Sequence, residues 1–145
     1  MAITQSLCTS FKVELLQGLH DFTASTGDTF YVALYTSSAT LGASTTAYTA
    51  TGEASGTNYT AGGKAVTGNT TPTSSGTTAY TTPSGSTLTW AASTITARGC
   101  MLYNQTTSNR AVCILDFGSD KSSSAGNFTI NWPTNDVTNA LIRIA

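Results

Sequence analysis

The sequence predicts a mainly β protein, an antiparallel β-sandwich or barrel-like fold with one N-terminal α-helix. Three observations carry that expectation. Threonine and serine together supply about a third of the 145 residues, and the branched threonine side chain suits a pleated surface better than a helix. Short apolar runs bounded by Gly, Ser, Asn and Thr clusters recur every eight to twelve residues or so, the spacing of strands in sandwiches and barrels. Only one stretch, near the N-terminus, shows helical periodicity. A chain of 145 residues and 14.9 kDa fits a single domain spanning 1–145, large enough to bury a core without disulfides or metal.

The helix is expected over 4–18. Leu7, Phe11, Leu15 and Leu19 recur at intervals of four, and Cys8 and Leu16 widen the stripe. Thr4 can cap its start, and Gly18 stands where a left-handed C-terminal cap belongs. Thr29–Thr36 reads as the first strand, with Phe30, Val32 and Leu34 on one face and Tyr31, Ala33 and Tyr35 on the other. From Ser37 to Ala47 the chain is small and polar, with Leu41 as an anchor. Short strands are expected near 47–50, 64–70 and 77–81, joined by glycine turns. Residues 71–86 read as an exposed loop or extended arm, with Pro72 and Pro83 in turns or on an edge. Ser86–Trp90 forms a short strand. Residues 93–117 form the central hairpin, two arms apolar on both faces around the polar connector Asn104–Asn109. Gly118–Asn127 is a polar turn region. Phe128, Ile130 and Trp132 point inward from the next strand and Thr129 and Asn131 outward, before Pro133 ends it. Thr138–Ala145 closes the chain as a strand.

Charge narrows the function classes. Only 9% of residues are charged and the net charge is −1, against about a quarter in ordinary domains. The six basic residues are scattered, whereas nucleic-acid binding needs them clustered. No apolar run is long enough to cross a membrane, and the first ten residues lack the basic and apolar regions of a secretory signal. Cytoplasmic synthesis with reduced thiols is therefore expected. So neutral a chain is poorly protected against association, which favours a protein built into an assembly.

The groups able to do chemistry are few. His20 is the sole histidine and Asp21 follows it. A nucleophilic triad needs a serine on a strained turn and an oxyanion hole, and no G-x-S-x-G occurs. A helix-end histidine, favourable near the C-terminal dipole, is the simpler reading. Cys8, Cys100 and Cys113 lack zinc spacing. Cys100 and Cys113 are symmetric about Thr106-Thr107 and would face each other if the hairpin turned there, as buried small hydrophobes or as a disulfide. Asp116-Phe117-Gly118 has no kinase context, and Gly62-Gly63-Lys64 lacks the first glycine and the Ser/Thr of a phosphate loop. Asp116, Asp120 and Asn127 could converge on a cation but lack calcium-loop spacing. Glu14, Glu53 and the aspartates show no pairing that sequence can assign to a glycosidase. Tyr and Trp in loops could contact sugar, although strand cores and interfaces are their commoner place. No catalytic residue, cofactor or metal site is expected.

The run FKVELLQGLHDF, then DTFYVALYTSSATLGASTTAYT, GTNYTAGGKAV, ITARGCMLYNQTTSNRAVCILDFGSDK and NFTINWPTNDVTNALIRIA resemble a family of small tailed-bacteriophage virion structural proteins. The resemblance covers nearly the whole chain and is weakest from 71 to 92. It implies a non-enzymatic particle component made in the host cytoplasm and resident in the virion, with no nucleic-acid or membrane partner. A capsid decoration or cement protein on the particle exterior is the leading expectation. A tail, neck or fibre-associated subunit touching the host surface or carbohydrate is the alternative. The partners would be copies of itself, in a symmetric homo-oligomer, and virion proteins such as the major capsid protein. The interface candidates are Leu7 and Phe11 on the helix, Thr77 and Tyr80 on the arm, and Tyr59.

Overall fold

The computed structural model describes residues 2–145. Its elements run β1 (Ser6–Leu7), α1 (Thr9–Leu16), β2 (Phe30–Tyr35), β3 (Gly56–Thr57), β4 (Lys64–Ala65), β5 (Thr73–Ser75), β6 (Thr78–Thr81), β7 (Thr87–Asn104), β8 (Arg110–Ser122), β9 (Gly126–Asn131) and β10 (Ile142–Ile144). These strands pair antiparallel in two sheets: a large one in the order β1-β8-β7-β2-β4, with β3 and β9 also on β7, and a small one in the order β10-β6-β5. The result is mainly β and sandwich-like, with one short helix.

The 18-residue β7 is the axis. β2 pairs with its C-terminal part from Gly99 to Asn104, and β3 with Thr94 and Ile95. β8 pairs with Thr96–Asn104, and β9 continues along β7 from Ser93 to Thr87. The expected 93–117 hairpin is thus the inner part of a longer ribbon running from Thr87 to Asn131. Its turn falls where the polar connector predicts, with Ser108 and Asn109 at positive φ. The separate strand expected at 86–90 is the first part of β7. The break anticipated there is a bulge at Ala91-Ala92 opposite Asn127, with Ala92 at φ 47°, beside the β8–β9 turn, where Ala125 is at φ 48°. The Ser93 hydroxyl, fully buried, sits 3.0 Å from the Trp90 carbonyl, 3.1 Å from the Gly126 carbonyl and 2.8 Å from the Ser123 hydroxyl, and so closes the bulge.

The register of β7 on β8, set by a turn centred on Thr107 and by a shift between Leu102 and Tyr103, decides the cysteines. It places Cys113 opposite Leu102 and Cys100 opposite Leu115. Cys100 and Cys113 therefore do not face each other, and all three thiols are free and buried. Burial pushes the Cys8 thiol up to about 11 and that of Cys113 up to about 12, so they pack as small hydrophobes.

The helix is shorter than its periodicity suggests. Ser6 and Leu7 are taken into β1 against Ile114 and Cys113, and Cys8, extended at φ −67° and ψ 138°, is the N-cap in place of Thr4. Gly18, at φ 71°, ends it as expected: Leu19 N–H donates to the Glu14 carbonyl at 3.0 Å and Gly18 N–H to that of Leu15 at 3.1 Å, the paired bonds of a left-handed C-cap. Phe11 is fully buried, but Leu16 is 92% exposed and Glu14 turns inward instead.

The two faces of the large sheet follow the alternation of β2 and β7. Phe30, Val32 and Leu34 register with Asn104, Leu102 and Cys100; Tyr31, Ala33 and Tyr35 register with Tyr103, Met101 and Gly99. The first face is covered by the small sheet together with α1 and Phe22, whose ring stacks on Phe30 at 4.4 Å. Over the second face lies the connection from 36 to 63. Tyr48 packs on Tyr103 at 5.1 Å between ring centres, and the Tyr103 hydroxyl donates to the Gly62 carbonyl at 2.7 Å. The strands expected at 47–50 and 64–70 shrink to an isolated Ala47–Arg110 bridge and the two residues of β4.

Residues 71–86 are not an extended arm. Thr73–Ser75 and Thr78–Thr81 form a hairpin, and β6 pairs in turn with β10. The C-terminal strand is confined to Ile142–Ile144, because Asp136 takes the backbone N–H groups of Thr138 and Asn139 into a turn. Phe128, Ile130 and Trp132 are buried and Thr129 and Asn131 exposed, as the alternation requires.

Candidate functional site

The interface candidates fall into three settings. Phe11 has no exposed surface and packs edge-on against His20 at 4.9 Å and Phe22 at 6.0 Å. It belongs to the core, so the helix offers other residues outward: Val13, 51% exposed, and Leu16. Leu7 is half-buried in β1 and packs on the core. Tyr59 is half-buried too. Its hydroxyl accepts from Leu34 N–H at 2.9 Å and donates to Glu53 at 2.7 Å. Thr77 is exposed at the tip of the β5–β6 hairpin. Tyr80 lines an open groove of about 250 Å³ with Leu15, Phe22, Pro72, Ile142 and Ile144.

That groove lies beside the small sheet, whose outer strands β5 and β10 each pair on one side only. Every residue of β5 is exposed, and its sequence, Thr73-Ser74-Ser75, carries no charge. A one-sided strand without lysine or inward charge leaves backbone donors and acceptors open to another chain. Its brevity limits that capacity, because a three-residue edge offers few bonds.

The polar groups gather in two interior clusters. In the first, Glu53 accepts the Tyr48 hydroxyl at 2.6 Å, the Tyr59 hydroxyl at 2.7 Å and Gly62 N–H at 2.7 Å. Burial, with the hydrogen bond and charge of Glu53 added, pushes the Tyr48 phenol up to about 12. Burial and the nearby Glu53 charge push Tyr103 up to about 12 also. Burial likewise raises Tyr35 and Tyr59. These tyrosines tie the 46–63 connection to β2 and β7.

The second cluster holds the sole histidine. His20 Nε2 lies 2.7 Å from Glu14 Oε2, and Glu14 Oε1 accepts from Arg110 Nη1 at 2.9 Å. His20 Nδ1 lies 3.0 Å from Asn104 Nδ2, which also donates to Asp28 Oδ2 at 2.7 Å. Asp21, the neighbour in sequence, turns away and accepts from Thr23 N–H instead. The imidazole side chain is 0% exposed and both its nitrogens are engaged. No hydroxyl or thiol hydrogen-bonds to it among the described residues, so it has no nucleophile to activate.

The other anticipated constellations do not assemble. Asp116 pairs with Arg98 at 2.9 Å, and that hydrogen bond holds its carboxyl below the ordinary range. Asn127 Oδ1 accepts from Ala92 N–H within the bulge. Among the described residues no three His, Cys, Asp or Glu side chains converge in a way that could hold a metal ion.

No family model, curated protein or solved structure matches this chain. Its geometry therefore speaks alone: interior polar groups that are structural, and an outer surface of open strand edges, hydroxyls and a few exposed aliphatics. No helix among the described residues is long and apolar enough to cross a membrane.

Sequence missed the second cluster for a definite reason. Glu14 and His20 are six residues apart, and Asp28 and Asn104 are separated by 76. No local pattern joins them. The one available signal was a glutamate at 14 within the helix and a histidine at 20 just beyond it.

Proposed function

We propose that this chain is a non-enzymatic structural subunit of a bacteriophage particle, a decoration or cement protein bound to the exterior of the capsid. The observation that supports this reading is the uncharged open edge and exposed tip of the small sheet, Thr73–Ser75 and Thr77, beside the apolar groove of Tyr80 and Ile144. Repeated subunits reuse one interface many times, and a strand edge next to an apolar groove supplies both backbone bonding and side-chain anchoring. The low charge suits packing of copies side by side.

Quantitative staining of purified virions tests the reading. A decoration protein is present at a copy number close to that of the major capsid protein. A few dozen copies or fewer would move it to the tail or neck, and absence from the particle would end the proposal.

A further inference from the structure

We propose that His20 and Asn104 form a proton-sensitive clasp that fastens the β7–β8 turn to the 19–29 segment. The argument begins with the Asn104 amide. Its Oδ1 accepts from Thr107 N–H at 3.1 Å, and its Nδ2 donates to Asp28 Oδ2 at 2.7 Å. Those two partners fix which end of the amide is oxygen, since the opposite assignment sets donor against donor at Thr107 and acceptor against carboxylate at Asp28. With both amide hydrogens available, the second faces His20 Nδ1 at 3.0 Å, so Nδ1 must accept. The ring proton then sits on Nε2 and is donated to Glu14 Oε2 at 2.7 Å. Only the neutral Nε2–H tautomer satisfies every contact.

A second proton on Nδ1 would turn that acceptor into a donor facing a donor. The amide cannot turn to receive it without losing both Thr107 and Asp28. The groups around the ring are all named by the geometry: Glu14 from α1, Arg110 behind it from β8, Asp21 and Asp28 from the 19–29 segment, Asn104 from β7, the rings of Phe11 and Phe22, and Tyr80 across the groove. Asn104 itself is fully buried, and no water is needed to complete its bonds. What the clasp holds is equally specific. Thr107 Oγ1 donates to the Leu19 carbonyl at 3.2 Å, Thr29 N–H to Thr106 Oγ1 at 2.8 Å, and Gln105 N–H to the Thr29 carbonyl at 3.0 Å. Adding a proton at His20 therefore loosens one end of the long ribbon.

Because the chain has one histidine, the ring nitrogens can be followed by NMR in histidine-labelled protein without assignment ambiguity. The expected spectrum at neutral pH is a single tautomer with the proton on Nε2. On acidification, the second ring proton arrives together with shifts of the Thr107 amide and the Asn104 side-chain amide and loss of Thr107 exchange protection, while the Ile130 amide holds. An Nδ1–H tautomer at neutral pH, or ring protonation that leaves Thr107 unmoved, overturns the proposal. In His20→Phe the acid response at Thr107 is expected to vanish; its persistence would assign the response to another group. If that variant does not fold, the wild-type tautomer and the Thr107 response decide the matter by themselves.

Discussion

Replacing Phe11 with alanine separates a core role from an interface role. Phe11 is fully buried, and its ring meets His20 and Phe22 at 4.9 and 6.0 Å. A buried phenylalanine cut back to alanine loses transfer energy and leaves a cavity, together about 3–5 kcal/mol. The edge-on partners sit at the upper end of that range, since each aromatic pair adds about 0.5–1.5 kcal/mol beyond area. Against a total stability of roughly 5–15 kcal/mol, the loss is a large fraction. For a chain near 150 residues it corresponds to a melting temperature lower by roughly 6–20 °C, at about 2–4 °C per kcal/mol. Urea denaturation followed by tryptophan fluorescence and far-UV circular dichroism measures it. The matched control is Leu16→Ser on the outward face, where Leu16 is 92% exposed; surface changes of this kind stay within about 0.5 kcal/mol. A loss under about 1 kcal/mol for Phe11→Ala, or equal losses for the two variants, would refute the docking of α1 described above.

Two further predictions follow from the backbone and from the buried phenols. Gly63→Ala should destabilise strongly, because φ is +80° and a Cβ there would stand 1.8 Å from the Val32 carbonyl oxygen, whereas Ala92→Gly should stabilise by about 0.5–1 kcal/mol, since relief of left-handed strain exceeds the added unfolded-state entropy; thermal melts showing the same sign for both would contradict the backbone assignment. In alkali, the phenols of Tyr48 and Tyr103, raised to about 12 by burial, keep their protons after the unfolded chain has lost its own near 10. Their stabilising contribution is therefore complete below about pH 10 and lost as pH rises toward about 12, so the phenolate absorbance of these two should appear in step with unfolding, and their titration near 10 in the folded chain would overturn it.

The parts of the fold that sequence made legible are those in which side chains alternate or repeat over several residues. β2 lies within one residue of its expected bounds, and β9 with Trp132 follows the predicted inward and outward positions. The ribbon was read too short because its bulge at Ala92 and its β8–β9 turn at Ala125 are built on alanines at positive φ that carry no turn signature. The hairpin of β5 and β6 was read as an arm because backbone bonds hold it and few apolar side chains announce it. Deleting 73–85 would remove two of the three strands of the small sheet, so an added charge at Thr77 is the cleaner probe of contact. The helix lost its first turn to β1, a tertiary pairing that outweighs periodicity. Of the surface candidates, Thr77 and Tyr80 lie where a neighbour could reach them, and Phe11 does not.

The 18-residue β7 has a consequence for how the molecule comes apart. It bonds β2, β3, β8 and β9, so none of those four strands can open without disturbing the same backbone. Those strands are therefore expected to unfold together. The small sheet stands outside this dependence, since β5, β6 and β10 pair only among themselves. Its amides are expected to exchange with solvent earlier than those of Leu102 and Ile114. The contact surface proposed above is thus carried on strands whose backbone bonds are separate from those of β7.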